Sequence, residues 1–266
     1  MSALPLRLRS TVVLALVTVI GLMMLGWPLV LRTDPNNPRV DPPFLFLLLL
    51  PLLLAVVLAE LSEGGMDSRA LAILGVLSAV NAALRGFSAG TGGLELVFFL
   101  LILGGRVFGP GFGFLLGCTS LLGSALLTAG VGPWLPFQML VAGWVGLGAG
   151  LLPRRPRGRA EIVLLVVYGV AAAYLYGLLM NLWGWPFIAG LEIPGHDASQ
   201  IAYVPGGALA ENLRRFLVYT LLTSTGGWDT GRAITNAVAI AVLGPAVLTT
   251  LRRAARKARI ERVRAG

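Results

Sequence analysis

The chain has 266 residues, 56% of them hydrophobic and only 12% charged, with a mean hydropathy of +0.83; no soluble domain of that size hides so much apolar surface. The net charge of +9 sits at the ends of apolar runs rather than along one basic face, which argues against a nucleic-acid partner. A single cysteine, Cys118, excludes an intrachain disulfide and a cysteine-rich metal site.

In chain order, apolar runs near the ~20 residues needed to cross ~30 Å of hydrocarbon predict eight spans. They fall at about 12–31, 44–60, 70–86, 94–108, 110–128, 134–152, 160–183 and 230–251. The expected architecture is an all-α polytopic helical bundle. Arg7 and Arg9 precede the first run, which is longer than a signal-peptide core and lacks a small-x-small cleavage pattern, so it reads as a retained span. Residues 208–225 are apolar on one side and carry Glu211, Arg214 and Arg215 on the other. That pattern predicts a surface or re-entrant helix.

Charge sets the expected orientation. With the N-terminus inside and eight spans, fifteen basic residues lie inside and six outside. The positive-inside rule then places both termini in the cytoplasm of a multi-pass cell-membrane protein. The basic tail, 253–266, also suits anionic lipid. The long outer loop, 184–230, holds Trp185, His196, Asp197 and Trp228 and is expected to cover the outer end, as a lid or as simple packing.

Absent chemistry narrows the function. The only lysine is Lys257 in the tail, so there is no P-loop. One His and one Cys leave no metal cluster or Cys–His dyad, and no cofactor motif is present. His196–Asp197 reads as a solvated loop pair. Acids within spans are nearly missing, with Glu60 and Glu95 at span ends, which disfavours a proton-driven carrier.

Two helices carry small residues every fourth position: Gly75, Ala79 and Ala83 in the third span, and Ala142, Gly146 and Gly150 in the sixth. Such a stripe admits close approach of another helix. For the third span, that helix belongs either to the bundle or to a separate docking protein.

Residues 70–251 resemble the substrate-binding S component of an energy-coupling factor (ECF) transporter. The resemblance rests on four stretches in order after Ala79-x-x-x-Ala83. They are ELVFFLLILGGRVFGPGFGFLLG (95–117), GPWLPFQMLVAGWVGLGAGLL (132–152), NLWGWP (181–186) and WDTGRAITNAVAIAVLGP (228–245). It implies a six-helix core over 69–252 that binds a vitamin or related micronutrient. Such a core has no ATPase of its own and docks through Gly75, Ala79 and Ala83 on a transmembrane coupling protein carrying two ATPases. Residues 1–68, two helices and a linker, have no counterpart in that core.

The ligand is expected at the outer ends of the later spans. Trp134, Trp183 and Trp185 offer flat faces for a ring, or membrane anchors. Asn81, Gln138, Asn181 and Asn236 offer amides that must pair with something. Arg85, Glu95, Asp229 and Arg232 are the charges nearest the mouth. Asp229 and Arg232, three apart at a helix start, are also placed to pair with each other. Two other readings stay open: a structural or assembly protein binding through small-residue faces, and an intramembrane enzyme using Glu95, Asp229 and Arg232.

Overall fold

The computed structural model describes residues 8–30, 49, 52–55, 57, 68–88, 93–188 and 198–265. Among these residues there is no strand. The helices are α1 (Leu8–Leu25), α2 (Trp27–Val30), α3 (Ser68–Ser88), α4 (Val97–Phe108), α5 (Pro110–Leu127), α6 (Leu135–Leu151) and α7 (Arg159–Gly184). A 3-10 turn, Trp185–Ile188, then leads to α8 (Ala198–Ile201), α9 (Leu209–Thr220), a π-helical segment Leu221–Asp229, and α10 (Thr230–Ala265). Residues 49, 52–55 and 57 are helical too, and Leu49, Leu53 and Val57, four apart, are buried on one face.

Boundaries follow local chemistry. Gly109, at φ 104°, ends α4 in a conformation that side chains resist, and Pro110 starts α5 where its missing N–H costs nothing. Pro136 sits in the first turn of α6 for the same reason. Among the described residues, four helical stretches are long and apolar enough to cross a membrane: Ser68–Gly86, Pro110–Leu127, Arg159–Phe187 and Leu209–Arg256.

The last of these contains the expected surface or re-entrant helix at 208–225: α9 is two-faced, burying Asn212, Phe216 and Thr220 and exposing the Glu211 and Arg214 side chains. It is not a separate element: α9, the π segment and α10 form one continuous helical run. At about 1.5 Å per residue the 48-residue helical run Leu209–Arg256, apolar over only part of its length, far exceeds the ~30 Å hydrocarbon core. Gly226-Gly227 suggests a break in the sequence. Glycine keeps its backbone N–H, however, and the ladder passes through in π register, with the Thr230 hydroxyl donating to the Thr225 carbonyl at 2.6 Å.

The core is built backbone against backbone. Nine of the twelve α4 residues are buried. Gly105 of α4 and Gly113 of α5 both face the Gly146 backbone of α6. A Cβ on any of the three would overlap backbone atoms. Gly117 meets Ala142 in the same way, and Gly150 meets Pro110. The small-residue face of α6 is therefore filled from within the bundle. In lipid, where apolar side chains gain little by leaving the solvent, such close packing supplies the cohesion.

α3 lies at the edge. Its inner face buries Leu74, Ser78, Asn81 and Ala82, and the Ser78 and Thr119 hydroxyls bond α3 to α5 at 2.6 Å. Its outer face exposes Gly75, Val76, Ala79, Val80 and Ala83, and a Cβ on Gly75 would meet nothing within 4 Å.

One end of the bundle is locked by ions. The Arg106 guanidinium donates to Glu161 at 2.7 Å and to the Leu152 and Pro153 carbonyls at 3.1 and 3.0 Å. Arg252 reaches the same Glu161 oxygen at 2.6 Å. This joins α4, α7, α10 and the loop after α6. On the far flank, α1 packs on α6 and α7. The Trp144 indole donates to Thr18 at 3.1 Å, and the buried Trp27 stacks on Phe187 with centroids 5.4 Å apart. Leu14, Val17, Leu25 and Trp27 share one hydrophobic core with the later helices.

Candidate functional site

The opposite end of the bundle gathers six of the residues singled out in the sequence. Arg85 ends α3, Glu95 precedes α4, Gln138 lies in the first turn of α6, Asp229 closes the π segment, and Arg232 and Asn236 lie on the first turns of α10. Arg85 donates to Gln138 at 3.2 Å and to the Ser124 hydroxyl at 3.1 Å, and pairs with Glu95 at 3.4 Å. The other Glu95 oxygen accepts from Arg232 at 2.7 Å. Arg232 also donates to Asp229 at 3.1 Å, whose second oxygen accepts from Ser224 at 2.8 Å. Two guanidiniums and two carboxylates thus form one chain that links α3, the loop before α4, the π segment and α10.

The surroundings fix that chain. The Arg232 guanidinium lies 5.0 Å from the Tyr176 ring centroid and 5.8 Å from that of Phe98, a cation–π setting. Gly177 makes room for Asp229, because a Cβ there would overlap its carboxylate. Gly93, at φ 86°, brings the α3–α4 loop onto the Trp228 backbone, where a Cβ would come within 2.5 Å of the carbonyl oxygen. The Asn236 amide donates to the Glu95 and Arg232 carbonyls at 2.7 and 2.8 Å, holding the loop to α10. Buried charges of this kind are tolerated only when paired.

A cavity of about 290 Å³ opens beside the chain of charges. α7 contributes Tyr176, Gly177, Met180 and Asn181. Tyr219 comes from α9, Thr223, Ser224, Trp228 and Asp229 from the π segment, and Arg232 from α10. Wide π turns recur at functional sites because they re-aim side chains that an α-helix would turn away. The Asn181 amide nitrogen is buried and has no hydrogen-bond partner among the described residues. Among the described residues, Asn81, one turn before Arg85 and wholly buried, has no partner for either amide atom, and the Asn236 oxygen has none. Orphaned buried amides are costly and call for a partner.

The tryptophans expected at the mouth do not line this cavity. Trp134 is about half exposed at 44%, folds back over Gly132, donates to the Gly130 carbonyl at 3.2 Å, and does not line the cavity. Trp183 is buried against Phe137 and Phe187, at 4.8 and 5.3 Å between centroids. Trp185 packs on Tyr203 and Phe216 and donates to the Ile201 carbonyl at 2.7 Å. It ties the 3-10 turn to α8 and α9. His196 and Asp197 lie outside the described residues.

Sequence reasoning missed Tyr176, Gly177, Tyr219, Thr223 and Ser224. A usable signal was present: Tyr174, Tyr176 and Gly177 put polar rings and a gap into an otherwise aliphatic span. The Tyr174 hydroxyl does bond to Thr230, at 2.9 Å.

The family model for the ECF transporter, substrate-specific component, matches residues 69–255. No curated protein matches the chain, and no solved structure does.

Proposed function

The chain belongs to the substrate-specific component family of ECF transporters, and we propose that it captures a small vitamin-like molecule in the cavity between α7, the π segment and α10. Members of this family are multi-pass membrane proteins that bind a small-molecule substrate and work with a membrane coupling protein and ATPases. The observation that carries the site assignment is the joining of Arg85, Glu95, Asp229 and Arg232 beside a cavity whose wall holds the unbonded Asn181 amide. Every carboxylate oxygen in that chain is already held by a cation or a hydroxyl. This suits a rigid binding frame better than proton transfer.

In this reading the cavity end faces outward and the Arg106–Glu161–Arg252 end faces the cytoplasm, with both termini inside. The arginines at 154, 155, 157 and 159 and the basic tail support that orientation. Cysteines placed at Gln200 and at Arg157, both exposed, test it in a Cys118→Ser background. An impermeant reagent applied outside should label the first only, and the reverse pattern would refute the orientation.

The exposed stripe Gly75, Ala79 and Ala83 receives the coupling protein. The stripe is open to lipid along its length, and α1 packs on the opposite side of the bundle, on α6 and α7. Native mass spectrometry of the purified chain tests capture directly. A small molecule should be retained by the wild type and lost from Asn181→Leu and Asp229→Asn at unchanged monodispersity. Equal retention in both variants would remove this cavity from the function.

A further inference from the structure

The walls of the cavity carry information on ligand charge. Asp229 and Arg232 line it, and Glu95 and Arg85 stand behind them. The two cations meet the two anions through contacts of 2.7–3.4 Å, so among the described residues the charges at this end of the cavity balance. An anionic ligand would either add a third negative charge to a balanced cluster through the remaining Arg232 Nη2 donors, or draw Arg232 away from Glu95 or Asp229 and strand a carboxylate, Asp229 being only 1% exposed. A cationic ligand would have to take Asp229 from Arg232 and Ser224, leaving a guanidinium between Phe98 and Tyr176 without its partners. Either exchange replaces a paired buried charge by an unpaired one.

What the wall does offer is different. Tyr176, Tyr219 and Trp228 supply aromatic surface, and the Asn181 amide nitrogen, buried in the wall, is a hydrogen-bond donor without a partner among the described residues. The volume of about 290 Å³ lies at the small end of the ~300–1,000 Å³ usual for ligand pockets. It suits one ring or two fused rings. Resting on the reading of this cavity as the capture site, we propose that it selects an uncharged, ring-bearing molecule. A carbonyl or ring nitrogen of that molecule accepts from Asn181, and charged analogues of the same shape are rejected.

Two isosteric series test this on the full-length purified chain by equilibrium dialysis. The first is nicotinamide, nicotinate and 1-methylnicotinamide; the second is quinoline-3-carboxamide, quinoline-3-carboxylate and 1-methylquinolinium-3-carboxamide, whose ring nitrogen carries the methyl group. Each holds shape nearly constant while the charge runs through neutral, negative and positive. At least one neutral member should bind saturably below about 1 mM, with its charged partners at least about tenfold weaker. Asn181→Leu should weaken the neutral probe by roughly 3- to 10-fold, whereas Val167→Ala, on the exposed side of α7, should not.

Tighter binding of either charged member would overturn the proposal, as would no saturable binding of both neutral probes. If a charged member wins and Asn181→Leu still weakens it, the cavity reading survives and the neutral class falls. If a neutral probe wins but ignores Asn181→Leu, the probe binds elsewhere, and both the ligand assignment and the cavity reading fall.

Discussion

α3 and α6 carry the same signal, small residues at every fourth position, and the bundle treats the two faces in opposite ways. On α6, Ala142, Gly146 and Gly150 lie against the backbones of α4 and α5, with no space for another atom. On α3, Gly75, Ala79 and Ala83 look out of the bundle. The difference comes from position. α6 sits among α4, α5 and α7, while α3 packs mainly on α5 and leaves its other side bare. A small-residue stripe says that something comes close, and only the fold says whether that something is already present.

Substitution at the filled face should produce the largest effect. Gly146→Leu and Gly113→Leu collide with backbone carbonyls that cannot rotate away. Their cost should exceed the ~1–3 kcal/mol typical of overpacking, and size-exclusion chromatography should show no monodisperse protein. A well-folded Gly146→Leu would erase the contrast between the faces.

Next comes the ion lock that holds the far ends of the same helices. Glu161→Ala leaves Arg106, whose side chain is 5% exposed, without its carboxylate. Roughly 3–5 kcal/mol of stability should be lost, seen as a lower Tm with the protein still assembled. An unchanged Tm would mean that the glycine packing alone holds that end.

Trp27→Ala removes a buried ring from Phe187 and an indole N–H from the Trp183 carbonyl, 3.4 Å away. The loss should fall near the low end of the ~3–5 kcal/mol seen for buried aromatics. Hydrogen exchange should quicken in 181–188 and stay constant in α3. Equal quickening in α3 would show that its open face depends on the N-terminal helices.

At the open face, Ala79→Leu and Ala83→Leu should change stability by less than about 0.5 kcal/mol. Gly75→Ala should raise it by up to about 1 kcal/mol through helix propensity alone. Aggregation of any of the three would mean that this face is packed after all.

Much of this was legible in the sequence because it is local. Six of the expected spans match helices to within a few residues, since apolar length and Gly/Pro turns set them. The Asp229–Arg232 pair follows from three-residue spacing at a helix start. Glu95 was visible as a charge near the mouth. Its simultaneous hold on Arg85 and Arg232 was not, because 137 residues separate it from Arg232. The run from α9 into α10 was hidden because the charged face of 208–225 sets it apart from the apolar run at 230–251, and π register has no sequence signature. Glu161 carried no signal of its own in the sequence. Its role depends on Arg106 and Arg252 converging from other helices.

The central claim is that capture and coupling occupy separate surfaces, the charged end and the open face of α3. The most direct measurement is pull-down of the coupling protein and its ATPases, co-expressed with the tagged full-length chain, wild type against Ala79→Leu/Ala83→Leu. The account predicts that the double variant stays monodisperse, keeps the small molecule retained by the wild type, and loses the coupling protein. Undiminished capture of the coupling protein by that variant would contradict it.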